Sequence, residues 1–334
     1  MSSPPFSECL HGGQLRAAAQ HYRIPLAKWL DLSTGINPVG WPVPPIPPEV
    51  WQRLPEDDDG LMMACMVYSN GAPIMPVAGS QAAIQTLPQL YGPSRVGVLS
   101  PCYAEHGRAW QAAGHSVTHF SYAEAERAVS ESEIVVLTNP NNPTGCTIAP
   151  NVLLDWQRQL AARGGLLVVD EAFITATPEL SIMAQANRPG LVVLRSLGKF
   201  WGLAGVRCGF VVAELSLLSQ LEERLGPWAV SHPARWIAQR ALSDRSWQAA
   251  TTERLTQDSA RLAALLDSHG LHSPSGCVLF RWVPTPRAVE LFEAFARRGV
   301  LVRAFPGCEG LRFGLPGSEA DWEKLETVLQ EIMR

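Results

Sequence analysis

From about residue 75 the chain alternates short, unbroken apolar runs with stretches of helical periodicity. RVGVLSP (95–101), EIVVLTNP (133–140), GLLVVDEA (165–172) and GLVVLRS (190–196) each end in polar or turn residues. A strand wetted on one side alternates apolar and polar positions, whereas a continuous run suits a strand covered on both faces. The runs therefore predict a mostly parallel sheet sandwiched by helices, an α/β body. Ligands of such sheets bind beyond the carboxyl ends of the strands. Residues 139–142, Asp170 and residues 196–199 are accordingly predicted to converge.

After about residue 226 the pattern changes. A long helical tract (roughly 232–268) precedes the run CVLFRWV (277–283), a helix near 286–298, and the strands VLVRAF (300–305) and GLRFGL (310–315). Trp322, Leu325, Val328, Leu329 and Ile332 then form the apolar stripe of a closing helix. The expected organisation is an N-terminal segment, 1–40, packing on the small domain; a large domain, 41–225; and a small α+β C-terminal domain, 226–334. WPVPPIPP (41–48) is extended by its prolines and reads as a connector.

Composition narrows the classes. With 27 basic and 31 acidic residues among 334, the chain carries −4 and no basic stripe, which argues against nucleic acid as a partner. Seven cysteines are scattered without a CxxC pair, so neither a disulfide framework nor a metal site is expected, and a reducing cytoplasm is. MSSPPFSECLHGG has no basic region followed by an apolar run, so no signal peptide is read there. Residues 60–94 carry no formal charge, but Pro73, Pro76, Pro88 and Pro93 break any helix that could cross a membrane.

The candidate chemistry begins with scarcity: only Lys28, Lys199 and Lys324 are lysines. Lys28 and Lys324 have polar surroundings, whereas Lys199 lies in LRSLGKFWGLAGVRCGF, where a bare ammonium is costly. Asp170 ends LLVVD and needs a cation or several hydrogen bonds, although a cap after a strand would also explain it alone. NPNNPTG (139–145) is a rigid turn presenting Asn142. AGSQAAIQTL (78–87) places Gly79, Ser80 and Gln81 at the start of a helix, where free N–H groups suit a phosphate, and Arg207 supplies a counter-charge. A lysine, a buried carboxylate and a phosphate cradle together describe a site for pyridoxal 5'-phosphate.

In that order, TNPNNPTG, VVDEAF and RSLGKFWGLAGVRCGF resemble the class I/II aminotransferases among the fold-type I pyridoxal-phosphate enzymes, over nearly the whole chain. The resemblance implies that Lys199 bonds the cofactor, Asp170 pairs with its ring nitrogen and Asn142 with its ring hydroxyl. Tyr103 would stack on the ring, and Ser80, Gln81, Ser196 and Arg207 would hold the phosphate. Substrate would lie against His11, Gly12, Gly35, Asn142, Arg303 and Arg312; without the resemblance, His11 and Arg303 read equally as surface residues. The segments HGGQLRAAAQHYRIPLAKWLDLSTGINPVG and GPWAVS resemble the branch of the family that decarboxylates O-phosphothreonine for cobalamin biosynthesis. A histidinol-phosphate-like aminotransferase is the alternative, and a non-catalytic regulator that binds the cofactor is a third. Phe173, Leu54, Gly198 and Val278 stand where relatives usually carry Tyr, Tyr, Ser or Thr, and Asn. The resemblance also implies a homodimer, in the cytoplasm and without the membrane or nucleic-acid partner that composition already argues against.

Overall fold

The computed structural model describes residues 11–333, so Cys9 and the first ten residues of the expected N-terminal segment lie outside it. The chain clusters into two compact units. One comprises residues 40–142 and 147–249; the other comprises the chain up to residue 39, residues 143–146 and residues 250–334.

Strand β1 (Leu30–Asp31) belongs to the smaller unit. The larger unit is built on β2 (Ile74–Val77), β3 (Arg95–Leu99), β4 (Ser116–Phe120), β5 (Ile134–Thr138), β6 (Leu166–Asp170), β7 (Leu191–Ser196) and β8 (Gly209–Ala213). Their order across the sheet is β2-β8-β7-β6-β5-β3-β4. Strands β3 to β7 pair in parallel, and every residue of β5 and β6 is buried, as the unbroken apolar runs predict. Each such Val, Leu or Ile contributes about 1.5–3 kcal/mol by leaving water. Only β8 runs against its neighbours. The C-terminal ends of β2, β5, β6 and β7 therefore share one sheet edge with the start of β8.

The smaller unit adds β9 (Ser275–Cys277), β10 (Phe280–Pro284), β11 (Val300–Leu301), β12 (Arg303–Phe305) and β13 (Gly310–Gly314). The order β12-β13-β10-β9 is antiparallel throughout, and β1 pairs in parallel with β11. The closing helix, Glu319–Ile332, starts with a capping box between Ser318 and Asp321 and buries Trp322, Leu325, Val328 and Leu329.

Two features depart from expectation. The helical tract after residue 226 breaks at Asp244 into helices His232–Ser243 and Arg245–Ser268. The Asp244 carboxylate accepts from the Trp247 N–H and the Ser246 hydroxyl on one side and from Trp41 Nε1 on the other, which ends one helix and starts the next. Residues 226–249 then stay with the larger unit, because Trp201 bonds the Ala241 carbonyl and Trp41 bonds Asp244. Residues 143–146 cluster with the smaller unit. There Gly145 (φ 73°) crosses Gly276 so closely that a Cβ would sit 2.3 Å from its backbone, and Ser275 Oγ donates to the Thr144 carbonyl at 2.7 Å.

Candidate active site

Asp170 is the last residue of β6 and is buried. Its Oδ1 accepts from the Ala172 N–H and its Oδ2 from His106 Nε2, both at 3.0 Å. His106, itself buried, lies one helical turn beyond Tyr103 on the helix Ala104–Ala112, and the two rings meet edge to face. The two hydrogen bonds fix the direction in which this carboxylate points.

Each asparagine of NPNNPTG has its own task. Asn139 brackets the loop through both its amide oxygen and nitrogen, with the backbone of Ile148. Asn141 donates to the carbonyl of Pro101 and to the Thr138 hydroxyl. The backbone N–H of Asn142 donates to that same hydroxyl at 3.2 Å. The loop is thus strapped down around Asn142, at the edge that also carries Asp170.

Gly79 (φ 71°) precedes the helix Ser80–Thr86. A Cβ there would meet the guanidinium of Arg207 at 2.7 Å, and one on Gly209 would meet the Ser80 nitrogen at 2.5 Å. Both glycines therefore keep open a concavity floored by helix N–H groups and the Arg207 guanidinium, a cradle for a phosphate. Arg207 bonds the Ala204 carbonyl, which holds it in place. Gln81, expected to hold the phosphate, is the second residue of the helix Ser80–Thr86, and its side-chain oxygen accepts from the Tyr103 hydroxyl at 3.1 Å. Ser196 ends β7 and accepts from the Gly198 N–H. Gly198 has a steric reason: a Cβ would lie 3.0 Å from the Ala204 Cα. Lys199 is half-buried, with Nζ 5.5 Å from the ring centre of Phe173. A lysine, a fixed carboxylate, an asparagine and an open phosphate cradle on one sheet edge fit pyridoxal phosphate.

Sequence reasoning missed three residues here. His106 is one. The others form a buried ion pair, in which Arg195 donates to Glu171 at 2.9 Å and also to the Tyr68 and Thr175 hydroxyls. Burial pushes the Glu171 carboxyl up, opposed by the Arg195 guanidinium and by hydrogen bonds from Ser181 and Ile182. Glu171 follows Asp170 and Arg195 precedes Ser196, so the pair ties β6 to β7 directly beside the site. Both sit inside apolar runs, and that placement of a charge was the available signal.

Of the residues expected to bind substrate, Asn142 belongs to the larger unit and His11, Gly12, Gly35, Arg303 and Arg312 to the smaller. Arg303 and Arg312 are cross-strand partners in β12 and β13. Burial, then the facing Arg303 charge, pushes Arg312 down to about 10. A small, half-open cleft is lined by His11, Gly12, Ser33 and Arg303 among others. Arg312 joins it through the Ser33 carbonyl, to which it donates at 2.7 Å. Gly35 is buried and does not line the cleft. Two guanidiniums paired across the strands and a histidine lining the cleft are groups whose chemistry suits an anion. Among the described residues no group of His, Cys, Asp and Glu could hold a metal ion.

Residues 66–332 match the model of the family described as aminotransferase class I and II. The chain is 51% identical over 319 residues to a threonine-phosphate decarboxylase of Pseudomonas aeruginosa, with 96% of each chain covered. It is 40% identical over 339 residues to a threonine-phosphate decarboxylase of a Sinorhizobium species, with 99% of each covered. In fold it is similar to the crystal structure of histidinol-phosphate aminotransferase from Sinorhizobium meliloti in complex with pyridoxal-5'-phosphate. That likeness has a TM-score of 0.80 at 18% identity and covers 100% of this chain and 99% of the other.

Proposed function

The chain belongs to the class I and II aminotransferase family, and from that membership we propose that it decarboxylates O-phospho-L-threonine to (R)-1-aminopropan-2-yl phosphate, with pyridoxal 5'-phosphate as cofactor, in cobalamin biosynthesis. The observation that carries this reading is the near full-length likeness to threonine-phosphate decarboxylases, at 51% and 40% identity.

Lys199, Asp170, Asn142 and Tyr103 would hold the cofactor ring, and Gly79, Ser80, Ser196 and Arg207 its phosphate. When bound, the cofactor supplies an electron sink for a bond broken at the substrate's α-carbon. The chain's own residues do the rest. Asp170, oriented by His106 and the Ala172 N–H, would hold a proton on the ring nitrogen it faces. Lys199 would supply the amine, with the ring of Phe173 beside it. His11, Arg303 and Arg312 would bind the phosphate and carboxylate of the substrate, which fixes the bond that is presented for cleavage.

A second copy of the chain completes the reading. On the larger unit the helix Leu61–Tyr68 buries Leu61, Ala64, Cys65 and Tyr68 yet leaves Met63, Met66 and Val67 more than half exposed. Nearby in sequence, Trp51 and Leu54 are 64% and 60% exposed. A helix apolar all round is normally covered, which supports a homodimer. No described helix is long and apolar enough to cross a membrane.

The test is carbon dioxide release from O-phospho-L-threonine by cofactor-loaded protein with no keto acid present. Repeated turnover with aminopropanol phosphate accumulating is expected, and Lys199→Ala should abolish it. A single conversion of the cofactor to its amine form on histidinol phosphate, with no gas, would replace the decarboxylase by an aminotransferase.

A further inference from the structure

Ser33 is nearly fully buried in the wall of the smaller unit's cleft, and it touches both the loop of His11 and the guanidinium of Arg312. Its hydroxyl donates to Asp31 Oδ1 at 2.6 Å and accepts from the Gly13 N–H at 2.8 Å. A hydroxyl has one proton to give. With that proton committed to the Asp31 carboxylate, a lone pair is left aimed at the loop of His11, Gly12 and Gly13. The Ser33 backbone is fixed as well, because its own N–H donates to Asp31 Oδ1 at 2.9 Å, a local turn closed by the aspartate. Its carbonyl, so oriented, accepts from Arg312 at 2.7 Å. The loop also seats directly on Ser33: a Cβ on Gly12 would lie 2.3 Å from the Ser33 carbonyl oxygen, so only glycine fits.

We propose that Ser33 is a positioning residue for substrate, locking the loop that carries His11 to the guanidinium of Arg312, with Asp31 setting the direction of its hydroxyl. This rests on the smaller unit's cleft being the substrate's anion site. Without the Ser33 hydroxyl, Gly13 loses its acceptor and the loop carrying His11 is no longer held in register with Arg312. Cofactor binding depends on residues of the larger unit and stays as it was.

The experiment compares wild-type holoenzyme with Ser33→Ala and Ser33→Thr. It reads KM and kcat for O-phospho-L-threonine, the dissociation constant of inorganic phosphate by calorimetry, and the cofactor absorbance. Ser33→Ala should raise KM and the phosphate constant together by about tenfold, the upper range for one lost buried hydrogen bond. Its kcat and cofactor spectrum should stay within about twofold, and Ser33→Thr, which keeps the hydroxyl, should bind phosphate nearly as wild type does. An alanine variant with unchanged phosphate affinity overturns the proposal, and so does a threonine variant as weak as alanine. A fall in kcat and cofactor binding alongside KM also overturns it, because the residue would then support the whole fold. If wild type binds phosphate, Ser33→Ala does not, and neither releases carbon dioxide, the linkage stands and the decarboxylase reading falls. A wild type that binds neither phosphate nor substrate overturns both.

Discussion

Arg303 and Arg312 stand directly opposite each other on antiparallel β12 and β13, two like charges in the closest register a sheet provides. Like charges directly opposite destabilise a sheet until an anion sits between them. Removing one should therefore separate stability from binding. Arg303→Leu is expected to hold or raise the thermal midpoint in the absence of ligand while KM for phosphothreonine rises at least about tenfold. Phosphate should raise the midpoint of the wild type and not of the variant; a scanning-calorimetry titration measures both.

His106 acts on the chemistry through Asp170. His106→Leu removes one of the two donors described and leaves the Ala172 N–H on the carboxylate. A lost hydrogen bond to a charged group is worth about 1.5–3 kcal/mol, so kcat should fall about 10- to 100-fold. Bound cofactor should remain, with its absorbance titrating at a different pH; a stopped assay and a spectrophotometric pH titration read the two effects separately.

The space beside Gly79 and Ser80 depends on Gly209, a residue of the RSLGKFWGLAGVRCGF stretch that was given no role of its own. Gly209→Ala pushes a methyl group against the Ser80 nitrogen, the Arg195 carbonyl and the Gly79 backbone, none of which can swing aside. Overpacking of this kind costs about 1–3 kcal/mol. Cofactor affinity should drop accordingly, by roughly five- to 150-fold, as measured by equilibrium dialysis, while Gly205→Ala, which meets nothing within 4 Å, should be silent.

Alkaline stability should follow the buried thiols. Burial pushes Cys208 up to about 12, with Arg235 pulling the other way, and Cys277 up to about 11 against backbone N–H donors. Cys65 is raised further, by burial and then by Cys208. Below their ordinary value of 9.0 these thiols are protonated in folded and unfolded chains alike, and no difference arises. Above it the unfolded chain sheds protons that the folded one keeps. Stability should therefore fall between about pH 9 and 11, by on the order of 1 kcal/mol per pH unit per thiol. Urea midpoints at pH 8 and 10.5 test this, and Cys208→Ala should flatten the slope.

What was legible in the sequence was what is expensive. The unbroken runs of β3, β5, β6 and β7 declared a doubly covered sheet, and Lys199, Asp170 and Arg207 declared themselves as charges among apolar or glycine neighbours. His106 did not, because one histidine on a helix gives no sign that a strand end 64 residues later will supply its partner. Ser33 was hidden for a similar reason: a serine two residues after an aspartate is an ordinary local turn until Arg312 arrives. The glycine of NPNNPTG read as a turn, whereas its tight constraint comes from crossing Gly276. The break at Asp244 was invisible because both flanks are helical by pattern, and only Trp41 fixes the cap.

The smaller unit is assembled from stretches at the two ends of the chain, with Leu30 paired to Val300 and Gly314 bonded to Leu32. During synthesis the N-terminal stretch leaves the ribosome long before its partner strands are made. Its apolar Leu30 and Leu32, buried in the finished protein, must wait in water or under a chaperone while the larger unit condenses. A premature stop anywhere ahead of β11 thus strands both termini at once, and such truncated products should be cleared by proteolysis rather than persist as half-active fragments.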